Sequence, residues 1–567
     1  MFDGFPVAFL FFAGAASILV LPKGAARGML LLAIPLIAGL FVWDQPEGNL
    51  WTVRLSNLDL EFMRVDRLSR IFALIFTVAA FLGNLYAWHV RDTVQQIAAL
   101  LYAGSAIGAV FAGDLITLFL YWEGTAIASV FLIWARRTEG AYHTGMRYLI
   151  MQIGSGVLLL AGTALLYRET GTILFEKMTL GSPGTWLIFL AFGIKCAFPL
   201  LHNWLQDAYP AATVTGTVIL SAFTTKLAVY ALARGFAGTE ILIYIGAIMT
   251  LFPIFFAVIE NDLRRVLAYS LNNQLGFMVV GVGIGTEMAL NGTAAHAFAH
   301  ILYKALLFMS VGAVLFRTGT AKGSELGGLY KTMPLTMIFC VVGAASISAF
   351  PLFSGFVTKS LILSASVDTG HYIVWGILLF ASAGVFHHSG IKIPYFAFFA
   401  HDSGKRPKEA PLHMLLAMGL TAFLCVAIGI FPAPLYALLP YEVDYVPYTT
   451  THVITQLQLL FFSALAFTVL MLTHIYPPEL RSVNLDTDWI YRRIVPSVIA
   501  KMAVGVSRIW TRWTRFGTST ITRMISGLYH STGPEGRFAQ TWPTGAMVLW
   551  IAILLGVTLI LNFASHG

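Results

Sequence analysis

Apolar runs of roughly 17–25 residues, each long enough to cross the hydrocarbon of a bilayer, follow one another along this chain. They predict helices near 5–21, 28–44, 69–89, 94–112, 114–135, 144–167, 183–205, 213–234, 241–259, 265–285, 294–316, 334–365, 371–391, 411–432, 455–473 and 543–563. Longer hydrophilic connections fall at 45–68, 168–182, 317–333 and 392–410. The pattern predicts an all-α polytopic membrane protein of about 16 transmembrane helices. The spans group into N-terminal helices over 1–93, blocks over 94–234 and 241–391, C-terminal helices over 411–473 and a last span.

Two of these runs are interrupted in the same way. Ala197-Phe198-Pro199-Leu200 and Ala349-Phe350-Pro351-Leu352 are one tetrapeptide, each in the middle of an apolar segment. Proline removes a backbone donor and clashes with the preceding turn, so helix breaks are expected at Pro199 and Pro351. Broken helices at matching positions in two halves point to a transport site built from repeats.

The stretch over 485–530 follows another rule. From Ile499 to Ile525, Lys501, Arg508, Arg512, Arg515 and Arg523 fall within roughly an 80° arc of a helical wheel, with Trp510, Trp513, Met502 and Phe516 opposite. Such a helix is expected to lie flat in the membrane interface, aromatic face down and cations towards headgroups.

Composition agrees with this picture. The chain has 567 residues, 58% hydrophobic and only 11% charged, against about 25% charged for soluble domains. No soluble catalytic domain is visible. The net charge of +8 has much of its surplus in the amphipathic stretch, which favours a lipid surface over nucleic acid. The opening Met-Phe-Asp-Gly-Phe-Pro lacks a basic n-region, so the first run is expected to remain a membrane helix. Cys196, Cys340 and Cys425 stand far apart in apolar segments and read as small core residues. Counting cations in alternate loops collects Lys23, Arg27, Arg91, Arg136, Arg137, Arg147, Arg264, Arg265, Arg317, Lys322, Lys331, Lys392, Lys405, Arg406 and Lys408 on one side. That side should face the cytoplasm of a bacterial-type plasma membrane, with both termini opposite.

Against this background, Glu123, Lys195, Lys226, His296, His300, Lys304 and Lys359 lie inside otherwise apolar spans. A charge at bilayer depth costs roughly 2.5 kcal/mol or more, so it is kept where it acts. A string of such groups suggests a path for protons or small cations. Glu123 could answer to a neighbouring ammonium, as a coupling element must, or form a static ion pair pinning two helices. Lys195, four residues before Pro199, sits where a break loosens the backbone and admits water. His202, seven residues on, would share its helix face and relay a proton. Lys226 is too deep to snorkel and lies among hydroxyls. His296, His300 and Lys304, spaced i, i+4, i+8, share one helix face and read as a relay. A metal pair at these histidines lacks a nearby third ligand. Lys359 follows the second break, and His387 or His388 could carry the path to bulk water, at most one of the two facing it. Asp114, Asp207, Glu260 and Asp262 read as surface or loop-packing groups near span ends.

These residues resemble a known family, the antiporter-like subunits shared by Mrp-type Na+/H+ antiporters, respiratory complex I and membrane-bound hydrogenases. Leu120-Tyr121-Trp122-Glu123 resembles its fifth-helix FWE element. Lys195 to Leu205 resembles its K-x-A-x-x-P-(L/F)-H-x-W-L motif. Asp207 to Ala212 resembles its D-A-x-x-A-P loop with the Pro and Ala order changed, and Asp262 to Ser270 its D-L-K-R-x-L-A-Y-S connection. His296 to Lys304 matches H-x-x-x-H-x-x-x-K, and Gly355 to Lys359 matches G-F-x-x-K. The resemblance implies two inverted five-helix repeats, each with a half-channel and a broken helix. It implies that Glu123 and Lys195 form a coupling pair, and that Lys226 is the central water-wire lysine. His300 and Lys304 would bridge to the second half-channel, with Lys359 terminal. The lysine at that last position favours the Mrp D-type protein and its hydrogenase relatives. The helix over 485–530 resembles instead the lateral helix of complex I's longest distal subunit.

The leading expectation is therefore a proton-translocating subunit of a multisubunit cation/proton antiporter. It would work with other integral membrane subunits, moving protons and, as a second candidate, Na+. Alternatives are a pumping subunit of a complex I-like oxidoreductase, a hydrogenase or an inorganic-carbon uptake complex, or a structural scaffold. No flavin, nucleotide, quinone or cluster motif marks the chain, so no cofactor and no catalytic or metal residue is expected, and any redox chemistry would belong to partners.

Overall fold

The computed structural model describes residues 4–55, 58–480 and 484–565. It divides into two units, Met1–Asn484 and Leu485–Gly567.

The first unit begins with α1 (Val7–Val20) and α2 (Ala25–Asp44), then strands β1 (Gly48–Leu55) and β2 (Leu58–Val65). Next come α3 (Arg67–Tyr86), α4 (Thr93–Phe111), α5 (Leu115–Trp134), α6 (Glu139–Thr170), α7 (Pro183–Lys195), α8 (Asn203–Ala211), α9 (Val214–Leu220) and α10 (Thr224–Gly235). The chain continues through α11 (Ile241–Ile259), α12 (Leu263–Ile284), α13 (Glu287–Thr318), α14 (Pro334–Ile347), α15 (Ser354–Asp368) and α16 (Tyr372–Val385). A π-helical turn, Phe386–Ile391, the short α17 (Lys392–Pro394) and a second π turn, Tyr395–Phe399, carry that helix onward. The unit closes with α18 (Leu412–Ile430), α19 (Ala433–Tyr436) and α20 (Thr450–Leu472).

Among the described residues, 13 helices are long and apolar enough to cross a membrane, and three shorter apolar helices accompany them. One of the 13, Ile490–Thr532, is the basic amphipathic stretch. Two expectations need correcting at the level of elements. The connection at 45–68 is not simply hydrophilic coil. Its period-two pattern folds β1 and β2 into an antiparallel hairpin, and the Glu61 carbonyl of β2 accepts a bond from Gly113 N (2.9 Å) just before α5. The span at 371–391 does not give way to a loop at 392, since helical backbone runs on to Phe399.

Local geometry repeats along the chain at a constant interval. Asp114 caps α5 by accepting from Ile116 N and Thr117 N, and Asp262 caps α12 by accepting from Arg264 N and Arg265 N. Each pairs as an isolated antiparallel bridge with a downstream loop, at Leu174 and Lys322. The two 32-residue helices α6 and α13 each end on a left-handed glycine, Gly171 and Gly319. The helix pair α11 and α12 closes through glycines. A Cβ on Gly246 would meet Gly276 O at 2.7 Å, and one on Gly276 would meet Thr250 N at 2.6 Å. Such small residues let membrane helices approach backbone to backbone.

The second unit holds a π turn, Ile490–Ile494, then α21 (Val495–Thr532) and α22 (Thr544–Ser565). Lys501, Arg508, Arg512 and Arg515 are exposed on α21, as are Trp510 (70%) and Trp513 (71%), so within this unit neither face is covered.

Candidate functional site

The two matching tetrapeptides fold alike. Both helices stop two residues before the motif's alanine, and Ala197, Leu200, Ala349 and Leu352 all take positive φ, at 61°, 70°, 56° and 74°. Phe198 N donates to Gly193 O and Phe350 N to Ala345 O, both at 3.0 Å. Left-handed backbone at a residue with a Cβ costs of order 1–3 kcal/mol and persists where the surroundings impose it. Two helices thus end inside the apolar core, α7 before Pro199 and α14 before Pro351, as the prolines predict. A third break, between α9 and α10 at Ser221–Phe223, has no proline and was not expected.

Four buried lysines of the core find their hydrogen-bond acceptors in backbone carbonyls and hydroxyls. Lys195 Nζ donates to Trp122 O (2.5 Å) and Thr125 Oγ1 (2.8 Å), and stands 4.3 Å from the centre of the Trp122 ring. Lys226 Nζ donates to Ser221 O (2.6 Å), a carbonyl at the third break. Lys304 Nζ donates to Ser270 Oγ (2.9 Å) and Leu267 O (3.3 Å). Lys359 Nζ donates to Ile347 O (3.2 Å), the last residue of α14, and lies 4.8 Å from the Phe277 ring. Among the described residues, none of the four has a carboxylate within 4.0 Å. Two of the breaks therefore also supply carbonyls that hold ammonium groups in the core, Ser221 O for Lys226 and Ile347 O for Lys359.

Glu123 and Lys195 interact electrostatically without touching. Glu123 is half-buried on α5 with Oε1 lacking a hydrogen-bond partner among the described residues. It fits only because α6 carries Gly156 opposite, where a Cβ would overlap Oε1. His202 does not share a helix face with Lys195, because α7 ends at Lys195 and α8 begins at Asn203. Its ring packs 4.5 Å from that of Phe252 on α11 instead.

The remaining groups form one cluster. Lys226, Lys304, His296 and Lys359 all lie within electrostatic range of His300. The His296 and His300 rings are 6.2 Å apart, and Tyr303 OH lies 3.3 Å from His296 Nε2. His296 Nδ1 meets Thr358 Oγ1 at 3.2 Å, next to Lys359. A direct chain leaves Lys304 through Ser270 Oγ, which accepts from Ser389 Oγ (2.7 Å), itself 2.8 Å from His388 Nδ1. His388 is fully buried, whereas His387 turns to the Phe467 and Tyr476 rings at 5.2 and 5.5 Å. Both nitrogens of His300, both polar atoms of Gln152 and Asn272, and Thr225 Oγ1 are buried without a partner among the described residues. Buried polar groups are nearly always satisfied, so these positions call for water.

Two acting candidates escaped sequence reasoning. Lys392 was counted as a loop cation but is 0% exposed. It donates to Val258 O and Glu260 O (both 2.7 Å) and pairs with Glu479 at 2.9 Å. The continued helix beyond 391 draws Lys392 inside, and no local signal marked it. Glu479 stands in a Pro-Pro-Glu connection after α20, so only tertiary structure brings it to Lys392.

Known proteins bear on this geometry. Residues 112–387 match the family described as NADH:quinone oxidoreductase/Mrp antiporter, transmembrane. The A-type protein of the Na(+)/H(+) antiporter of Alkalihalophilus pseudofirmus is 30% identical over 421 residues, 65% of this chain and 52% of that one. The D-type protein of the same organism's antiporter is 28% identical over 63% of this chain and 76% of its own. Hydrogenase-4 component B of Escherichia coli is 27% identical over 65% and 62%. A chain in the structure of the Mrp complex from Dietzia sp. DQ12-45-1b superposes with a TM-score of 0.78 at 23% identity, covering 92% of this chain and 62% of that chain, a likeness of fold. The chain is a multi-pass membrane protein similar to the antiporter-like proteins of the Mrp and complex I-like family. It spans about half the length of the A-type relatives it matches.

Proposed function

We propose that this chain is a proton-translocating subunit, in the role of the D-type protein of an Mrp-type cation/proton antiporter. It would sit in a bacterial-type plasma membrane among other integral membrane subunits. The observation that carries this reading is the seam of Lys226, His300, Lys304 and Lys359, all 0–1% exposed and held without carboxylates among carbonyls and unpartnered polar atoms. An ammonium fixed by a permanent ion pair has little reason to give up its proton. One held only by neutral acceptors in a wet seam can exchange it, and the imidazoles between these lysines can pass it on. The D-like assignment draws support from the 76% of the A. pseudofirmus D-type protein that aligns, against 52% of its A-type counterpart. Neutral acceptors at these lysines also weigh against a scaffold whose buried charges only pin helices. Lys226→Ala, assayed for cation-driven proton movement in vesicles bearing the full complex, should lower the rate about tenfold or more with assembly unchanged. Transport at the wild-type rate would refute the relay.

A further inference from the structure

The Lys392–Glu479 pair stands between the buried seam and a cleft. Glu479 is 6% exposed and shares with Ser324, His401, His474 and Tyr476 the wall of a cleft of about 470 Å³. On its inner side stands Lys392, within electrostatic range of His388, the end of the hydrogen-bonded chain from Lys304. Between cleft and chain lie four buried polar atoms with no partner among the described residues: Glu479 Oε2, Tyr476 OH, His387 Nε2 and His388 Nε2. They come from two segments distant in sequence, and the Tyr476 and His387 rings are 5.5 Å apart. Glu479 lies within electrostatic range of Tyr476, and His387 of His388, so these unpartnered atoms form a run of neighbours that calls for water.

The geometry points to Glu479 as the carboxylate through which protons pass between this cleft and the Lys304 cluster, by way of water held among Tyr476, His387 and His388. The inference rests on the proton-translocating reading above. A hydronium in the cleft gives its proton to the Glu479 carboxylate and becomes water. The resulting acid releases it through that water to the free nitrogen of His388, and the carboxylate returns to Lys392. Among the described residues, the charged groups facing Glu479 are Lys392 and Glu260, with Arg265 4.0 Å from Glu260. Burial pushes the Glu479 carboxyl above the usual carboxylate range, Lys392 pulling the other way, which suits a group that must be found in both states.

The test compares E479Q, the double variant K392M/E479Q and K226A in vesicles bearing the full complex, with assembly checked on native gels. E479Q should assemble and transport about tenfold more slowly, and the double variant should stay slow. Recovery in the double variant would make Glu479 only a counter-charge and overturn the inference. So would wild-type transport in E479Q while K226A is inactive. Wild-type transport in both E479Q and K226A would instead overturn the proton-translocating reading itself. Should E479Q fail to accumulate, Tyr476→Phe, which removes one hydroxyl from that run, decides: slowed transport supports the route and an unchanged rate ends it.

Discussion

Lys304→Met should leave the protein assembled and no less resistant to heat, yet slow ion-coupled transport by about a hundredfold or more. The two halves of this expectation come from one fact. Lys304 is fully buried and its partners are a serine hydroxyl and a carbonyl, not a carboxylate. Desolvating an ammonium costs several kcal/mol, and exchanging a buried charge for an apolar side chain of similar volume is commonly neutral or stabilising. Against that, the variant gives up two hydrogen bonds, about 1 kcal/mol each. Function moves the other way, because Lys304 stands between His300 and the Ser270–Ser389–His388 chain, and methionine carries no exchangeable proton. Thermal denaturation of the purified complex and vesicle transport measure the two sides. A variant that unfolds early and still transports within about twofold of wild type would reverse both expectations.

How far this site is legible in sequence depends on whether the relevant contact is local. Pro199 and Pro351 announce their breaks, because a proline inside an apolar run has a steric consequence wherever it lies. The i, i+4, i+8 spacing of His296, His300 and Lys304 needs only helical periodicity, and α13 supplies it without interruption. The break at Ser221–Phe223 is different. Nothing in Ser-Ala-Phe forbids helix, and the partner found at the break is distant in sequence: Tyr102 OH accepts from Thr224 N at 3.0 Å. His202 leaves the helix that carries Lys195 for a related reason, since counting along a helix presumes that the helix continues. Lys392 and Glu479 are illegible because a cation beside a polar connection reads as solvated until the chain is folded around it. The hairpin at 48–65 was hidden by its polarity, although its alternation was visible.

Gly355→Val should reduce the amount of folded protein in the membrane at least ~10-fold, the largest stability effect expected here. The second break leaves α15 starting directly beneath the end of α14, so close that a Cβ on Gly355 would overlap Ser346 O and come within 3.5 Å of Ala349 Cα. These are backbone atoms, which cannot swing aside as a side chain can. Ala349 and Leu352 already hold left-handed conformations to make the turn, so little slack remains, and overpacking of this kind costs roughly 1–3 kcal/mol even where neighbours can adjust. Glycine is needed here for proximity, not for φ. The same closeness sets function, because it brings Lys359, four residues on, to the Ile347 carbonyl. Gly376→Val on α16 is the matched control, since a Cβ there meets nothing within 4 Å, and it should accumulate normally. Equal amounts of the two variants, by immunoblot of washed membranes, would mean that the close crossing of α14 and α15 is not what holds this break together.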